Sequence, residues 1–224
     1  MSEHHPPLRS FGRRKSRPGK PRQAALMETR LPGLRIPAGP VNAAALMPGA
    51  AETWLEIGFG GGEHMAAQAG RHPDVLILGA EPFVNGVASA VRHIDEQALG
   101  NVRLHDNDVR ELIARIPGAS LARVFILFPD PWPKTRQQKR RLVQPELVTE
   151  LARTIRPGGA LRFASDVASY VDQALERFTA NPAFGWQAER PDDWRMPPAD
   201  HVTTRYEEKR LGDCAPVFLD FVRA

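Results

Sequence analysis

Short apolar runs alternate with longer amphipathic stretches along most of the chain. Five runs of four to six mostly apolar residues each predict a buried strand. They are Thr53–Ile57, Val75–Ala80, Val102–His105, Arg123–Phe128 and Ala160–Ala164. The stretch after each run predicts a helix. These are Glu63–Gly70, Phe83–Ala98, Val109–Arg115, Pro145–Ile155 and Val167–Thr179. Strands and helices that alternate in this way predict a parallel sheet covered on both faces.

The C-terminal end of the chain breaks this alternation. Phe184–Ala188 and Pro216–Val222 read as two strands joined by a loop, which predicts an antiparallel hairpin. The predicted fold is therefore α/β: a doubly wound, mostly parallel seven-stranded sheet with helices on both faces and an antiparallel C-terminal edge hairpin. The strands are almost continuously apolar, as strands buried on both faces should be.

The net charge is +4, and the positive excess lies at the N-terminus. Residues 1–22 hold seven basic side chains, one acidic side chain and four prolines, with few large apolar side chains. We expect a flexible arm there, which either contacts a polyanion such as nucleic acid or is a solubilising tail. A connector at 23–50, with one helix at Pro40–Met47, and a single domain at 51–224 complete the predicted organisation.

The composition excludes several classes of protein. The longest apolar runs are far shorter than the ~18 residues that span a bilayer, and no apolar segment follows the basic N-terminus. One cysteine, Cys214, excludes an intramolecular disulfide and a multi-cysteine zinc site. The seven histidines show no metal-ligand spacing. We therefore expect a cytoplasmic protein without a membrane segment or bound metal, and we favour a monomer.

The first candidate site is a glycine-rich turn after the first strand, where Glu56 precedes Gly58 and Gly60. The glycines permit a tight turn and close approach of a ligand to the backbone. Dinucleotide-binding proteins use such a turn as well, but Glu63 stands where their pyrophosphate fingerprint has glycine. The acidic surroundings favour a cationic ligand. Glu81 ends the next strand, at the distance where an acid accepts hydrogen bonds from ribose hydroxyls.

Polar residues also follow the third and fourth strands, at the same edge of the predicted sheet. After the third strand, Asp106 or Asp108 would reach the amino group of adenine. We favour Asp108, which is also a good helix N-cap. After the fourth, three prolines stiffen the loop at 128–134 and hold Asp130 and Trp132 in place. Trp132 is positioned to stack on a planar base, and Asp130 to accept hydrogen bonds from its N–H groups.

A cluster of basic residues follows this loop with no acid among them. They are Lys134, Arg136, Lys139, Arg140 and Arg141. Their position directly after the candidate reactive loop favours contacts with phosphate groups. The alternative is a solvated helix face, the usual role of such a run.

These motifs resemble those of a known family. The Glu-x-Gly-x-Gly-x-Gly turn, with an acid ending the next strand, is similar to that of class I S-adenosylmethionine-dependent methyltransferases. The Pro-Asp-Pro-Trp-Pro-Lys block at 129–134 resembles the bacterial tRNA (guanine-N7-)-methyltransferases and is the most specific part of the match. The Arg-Ser-Phe segment at 9–11, Asp166 and the Thr-Arg-Tyr-Glu segment at 204–207 resemble that family too.

The resemblance implies a class I methyltransferase domain at 51–224. It also implies that S-adenosylmethionine is the cofactor and that tRNA is the substrate, methylated at N7 of guanine 46 in the variable loop. The implied cofactor-binding residues are Glu56, Gly58, Gly60, Glu81, Asp108 and Asp130. The implied substrate-binding residues are Lys134, Asp166, Thr204, Arg205, Tyr206 and Glu207. Asp130 is the implied catalytic residue, and it either holds guanine through its N1–H and N2–H groups or stabilises developing positive charge.

Three other interpretations stay open at this point. An enzyme that methylates amino groups would use a related Asp-Pro-Pro-aromatic motif, although the order at 129–132 differs. A nicotinamide-dependent oxidoreductase is disfavoured by Glu63 and by the lack of a recognisable hydride-transfer centre. A non-catalytic RNA-binding protein with the same fold is disfavoured by the intact glycine turn and the acids that follow the strands.

Overall fold

The computed structural model describes residues 21–224 and confirms the predicted fold. The seven strands are β1 (Glu52–Ile57), β2 (Val75–Ala80), β3 (Val102–His105), β4 (Leu121–Leu127), β5 (Ile155–Ser165), β6 (Phe184–Trp186) and β7 (Val217–Arg223). The helices are α1 (Pro21–Thr29), α2 (Leu31–Leu34), α3 (Ala43–Leu46), α4 (Glu63–Arg71), α5 (Val84–Glu96), α6 (Val109–Ile113), α7 (Pro145–Thr154), α8 (Ala168–Thr179), α9 (Asp192–Arg195) and α10 (Arg205–Glu208). A 3-10 helix spans Thr135–Arg140.

The strands form one sheet in the order β3-β2-β1-β4-β5-β7-β6. The first five strands are parallel, and β7 is antiparallel to both β5 and β6. The strand order reverses between β1 and β4. In open α/β sheets, ligands bind in the crevice beyond the carboxyl ends of the strands at such a reversal.

Hydrophobic side chains pack on both faces of the sheet because successive residues of a strand point to opposite sides. On β1, Leu55 and Ile57 lie in one layer, which also contains buried residues of α6, α7 and α8. Trp54 lies in the other, with buried residues of α4 and α5. Two covered faces explain why β2 is buried along its whole length.

Three details differ from the predicted elements. Strand β7 inserts between β5 and β6, so the short β6 is the sheet edge. Strand β5 begins at Ile155, five residues before the predicted strand at Ala160–Ala164, and an irregular register opposite Leu121 and Arg123 accommodates the Pro-Gly-Gly segment at 157–159. Residues 23–50 are more ordered than a connector: α1 packs against α5, and Leu31 and Leu34 are buried.

The predicted arm lies almost wholly outside the described residues, since α1 begins at Pro21. Among residues 21–224, no helix is both long enough and apolar enough to cross a bilayer.

Candidate functional site

The glycine turn leaves β1 at the strand-order reversal. Gly58 and Gly60 have positive φ values of 71° and 53°, which residues other than glycine rarely adopt. The first turn of α5 approaches this loop so closely that a Cβ on Gly86 would collide with the carbonyl oxygen of Gly60. The turn is therefore a compact backbone cradle against α5.

Glu81 joins this cradle to the end of β2. Its two carboxylate oxygens accept hydrogen bonds from the backbone N–H groups of Gly60, at 2.9 Å, and of Phe83, at 2.8 Å. Burial raises the pKa of Glu81 to about 7, against the effect of these two bonds, and the nearby Asp130 raises it further. A ligand that donates hydrogen bonds or carries positive charge would stabilise the ionised form of such a desolvated carboxyl group.

Glu56 heads a buried chain of polar side chains. Its Oε2 lies 2.6 Å from Nδ1 of His64, and Nε2 of His64 lies 3.1 Å from Nε2 of Gln68. Gln68 also donates to the carbonyl oxygen of Asp200 at 2.9 Å. A Gln68 amide that donates to both partners requires the Nδ1-protonated, neutral form of His64. This series of hydrogen bonds therefore ties the end of β1 and the start of α4 to the C-terminal segment.

Loss of the Gln68 amide should destabilise the fold. We expect Gln68→Met to lower the free energy of unfolding by about 1–3 kcal/mol, because His64 loses a buried donor. Arg71→Met is the matched control: Arg71 donates to the same Asp200 carbonyl at 2.8 Å from an exposed position, so its loss should cost less than about 1 kcal/mol. Urea unfolding measures both, and equal losses would refute a special role for the buried chain.

The two aspartates after β3 are both engaged with arginines. Asp106 forms an ion pair with Arg35 at 2.7 Å; burial opposes its ionisation, but the ion pair outweighs burial and lowers its pKa. Asp108 is nearly buried and caps α6 through the N–H of Arg110, with a further bond to that guanidinium. Its pKa is also lowered, because these bonds outweigh burial. The helix-capping role of Asp108 is confirmed, and its contact with a cofactor stays a prediction.

The loop after β4 has a constrained backbone. Phe128 and Trp132 have positive φ values of 49° and 40°, which are uncommon for such large side chains. The guanidinium of Arg140 lies 5.0 Å from the ring centre of Trp132, so this ring already has a cation on one face. Asp130 is solvent-exposed as a residue, yet partial burial of its carboxyl raises its pKa.

The prediction that all five basic residues after this loop contact phosphates is wrong for Arg141. Its side chain is buried, and the guanidinium donates to the carbonyl oxygens of Pro131 and Ser169 and to Gln173. Arg141 therefore holds the loop at 128–134 against α8. The exposed members are Lys134, Arg136 and Lys139, which lie at or in the 3-10 helix.

The end of β5 and the C-terminal segment converge on the same loop. Burial raises the pKa of Tyr206, and the nearby carboxylates of Asp166 and Asp130 raise it further. The ring of Tyr206 packs 5.9 Å from that of Phe128. Asp166 is buried, and its carbonyl oxygen accepts from the N–H of Asp213. The structure thus brings residues far apart in the sequence to one side of the Asp130 loop.

The Thr-Arg-Tyr-Glu segment forms the first turn of α10 through a capping box. The Thr204 hydroxyl accepts from the N–H of Glu207, and Oε2 of Glu207 accepts from the N–H of Thr204. Oε1 of Glu207 lies 2.8 Å from Nε2 of the buried His201. Glu207 therefore shapes the segment, whereas Arg205 is exposed and lies 3.4 Å from Glu63.

Asp200 anchors the segment that leads into α10. It was not among the site residues predicted from the sequence. Its carboxylate contacts Arg162 at 2.6 Å and Arg123 at 2.8 Å, on adjacent strands β5 and β4. The four-residue spacing of His64 and Gln68 on a predicted helix was the available signal for the buried chain. Asp200 had no such signal, because its partners are distant in sequence.

Among residues 21–224, no three His, Cys, Asp or Glu side chains are arranged to hold a metal ion. The crevice instead joins a glycine cradle, desolvated carboxylates and a stiff aromatic loop with exposed cations beside it. This arrangement can hold a polar or cationic cofactor beside a planar ring.

Fold and crevice together define a class I methyltransferase. A family described as "Putative methyltransferase" matches residues 50–218. The fold is similar to the 16S rRNA (adenine(1408)-N(1))-methyltransferase from Catenulisporales acidiphilia, with a TM-score of 0.54 over 85% of this chain and 97% of that chain, at 17% identity.

Sequence relatives narrow the class to one family. A tRNA (guanine-N(7)-)-methyltransferase from Caulobacter sp. (strain K31) is 64% identical over 98% of this chain and 96% of its own length. A protein of the same name from Rhodospirillum rubrum is 46% identical over 96% and 88%. The chain belongs to the bacterial tRNA (guanine-N7-)-methyltransferase family, as the motifs at 129–134 and 204–207 predicted.

Proposed function

We propose that this enzyme transfers a methyl group from S-adenosylmethionine to N7 of guanine 46 in the variable loop of tRNA. The observation that carries the proposal is the crevice at the strand-order reversal, where Glu56 near the end of β1, Glu81 after β2 and Asp130 after β4 belong to three neighbouring parallel strands or the loops that follow them. The names of its full-length relatives support tRNA as substrate and guanine N7 as the methylated atom.

The residues of the crevice fit S-adenosylmethionine. A Cβ added at Gly58 or Gly60 would meet no protein atom within 4 Å, so the backbone of the turn is open to close packing of a ligand. Glu81, desolvated at the end of β2, would accept hydrogen bonds from ribose hydroxyls, and Asp108 would face the adenine. The carboxylates of Glu56 and Asp130 would offset the positive charge of the donor. When bound, S-adenosylmethionine supplies an electrophilic methyl group.

The protein then has little acid–base work to do, because guanine N7 carries a free lone pair. Its contribution is orientation of the base and stabilisation of charge. Asp130 accepts hydrogen bonds from guanine or stabilises the cationic product ring, and the constrained Phe128 and Trp132 hold its loop in position.

We assign tRNA binding to residues beside the crevice. Lys134, with the neighbouring exposed cations, would contact phosphates, and Asp166 with the segment at 204–207 would hold the substrate. The basic arm at 1–22 would add further phosphate contacts.

Methylation of a defined transcript tests the proposal. The enzyme is incubated with labelled S-adenosylmethionine and unmodified tRNA, and the nucleosides are then separated. We expect label in 7-methylguanosine, and we expect its loss from a transcript in which guanine 46 is replaced by adenine. Label that persists in 7-methylguanosine from the altered transcript would contradict position 46. Label in N6-methyladenosine would identify an amino-group methyltransferase. Donor binding without labelled RNA would favour a binding protein.

A further inference from the structure

A second pocket lies outside the carboxylate crevice, between α1, α5 and the start of α10. Its volume is about 510 Å³, which is in the range of pockets that hold a ligand of nucleotide size. The lining residues are Arg22, Gln23, Ser89, Arg92, Glu96 and Arg205. No motif in the sequence predicted this pocket.

Three arginines from three separate segments line this pocket, and two of them contact the same carboxylate. Glu96 contacts Arg92 at 2.6 Å and Arg22 at 3.6 Å. Arg92 also donates to Nε2 of His93 at 3.0 Å. The side chains of Arg22 and Arg205 are 66% and 70% exposed. Because each guanidinium has five N–H donors, the three arginines retain donors for a ligand of opposite charge.

Phosphate is the ligand chemistry that this pocket fits best. Guanidinium groups bind phosphate oxygens through paired, charge-assisted hydrogen bonds. Arg205 links the pocket to the crevice along the chain, because the next residue, Tyr206, packs on Phe128 at the base of the Asp130 loop. Arg22 is also the last basic residue of the arm predicted at 1–22.

We propose that Arg22, Arg92 and Arg205 bind a backbone phosphate of tRNA in this pocket, beside the nucleotide that enters the crevice. Glu96 competes with that phosphate for the guanidinium groups of Arg22 and Arg92. The inference rests on the proposed tRNA substrate and extends its footprint from the crevice to α1 and α5.

The test measures the dissociation constant of tRNA as a function of salt concentration. Arg92→Gln should weaken binding about 5- to 10-fold and reduce the slope of log affinity against log salt by about 1. Glu96→Gln should act in the opposite direction, strengthening binding severalfold, because it releases two arginines. Arg92 and Glu96 are partly exposed and lie four residues apart on one helix, so both variants should fold.

Arg156→Gln is the matched control, because Arg156 forms an exposed ion pair with Glu52 at the amino ends of β5 and β1, away from the crevice. Opposite changes in the dissociation constant of tRNA for Arg92→Gln and Glu96→Gln, with no change for Arg156→Gln, support the inference. Equal weakening by Arg92→Gln and Arg156→Gln, or weaker binding by Glu96→Gln, overturns it. Nucleoside analysis of the wild-type product keeps the two proposals separate. If 7-methylguanosine forms but Arg92→Gln and Glu96→Gln leave tRNA affinity unchanged, only the proposed phosphate site is refuted.

Discussion

Asp130→Ala should lower the rate constant of methyl transfer to tRNA by about 10²–10³-fold, which is typical for loss of a group that stabilises transition-state charge. The affinity for S-adenosylhomocysteine should change only a few-fold, because the glycine cradle and Glu81 remain. Single-turnover kinetics at saturating donor measure the first quantity, and calorimetric titration measures the second. A rate constant of methyl transfer within a few-fold of the wild-type value would show that Asp130 is only a structural residue.

Asp130→Asn separates the two roles proposed for this carboxylate. An amide has one acceptor atom, so it cannot accept both guanine N–H groups as the carboxylate does. If Asp130 mainly holds guanine, the variant should raise KM for tRNA. If it stabilises charge that develops only in the transition state, kcat and kcat/KM should fall equally. Asp106→Asn is a control for loss of negative charge, because Asp106 is already paired with Arg35.

Glu81→Ala should weaken binding of S-adenosylhomocysteine by about 10²-fold, the loss expected for about two charge-assisted hydrogen bonds. Binding should also depend on pH in the wild type. Since the pKa of Glu81 is about 7, the acceptor form of the carboxylate increases as pH rises from 6 to 8. We therefore expect tighter binding with rising pH, with a slope of up to tenfold per unit below the pKa.

The stability of the free protein should respond to the same group with the opposite sign. The pKa of Glu81 is higher in the folded chain than the ~4.3 of an unfolded chain, so the folded state holds the extra proton between those values. Ionisation of Glu81 therefore costs folding free energy, and its contribution to stability decreases as pH rises from about 4 to 7. Glu81→Gln should remove both pH effects. If the variant keeps the pH dependence of S-adenosylhomocysteine binding seen in the wild type, a group other than Glu81 is responsible for it.

Much of the fold was predictable because local patterns and the tertiary arrangement agree. The strands of a doubly wound sheet are buried on both faces, so their apolar runs are visible without any knowledge of neighbours. Asp108 could be recognised as an N-cap from its position alone. The short helices in 23–50 were missed except near Pro40–Met47, because residues such as Leu31 and Leu34 acquire their role only from packing.

The sequence alone determined the α/β class, the glycine turn with its flanking acids and the family to which the chain belongs. These features depend on residues close together in the chain. The tertiary structure alone decided that Arg141 is buried between the loop at 128–134 and α8, that Gln68 bridges His64 to the carbonyl of Asp200, and that β7 lies between β5 and β6. Each joins segments tens of residues apart, and a charged or amide side chain looks the same in sequence whether it faces solvent or a buried partner.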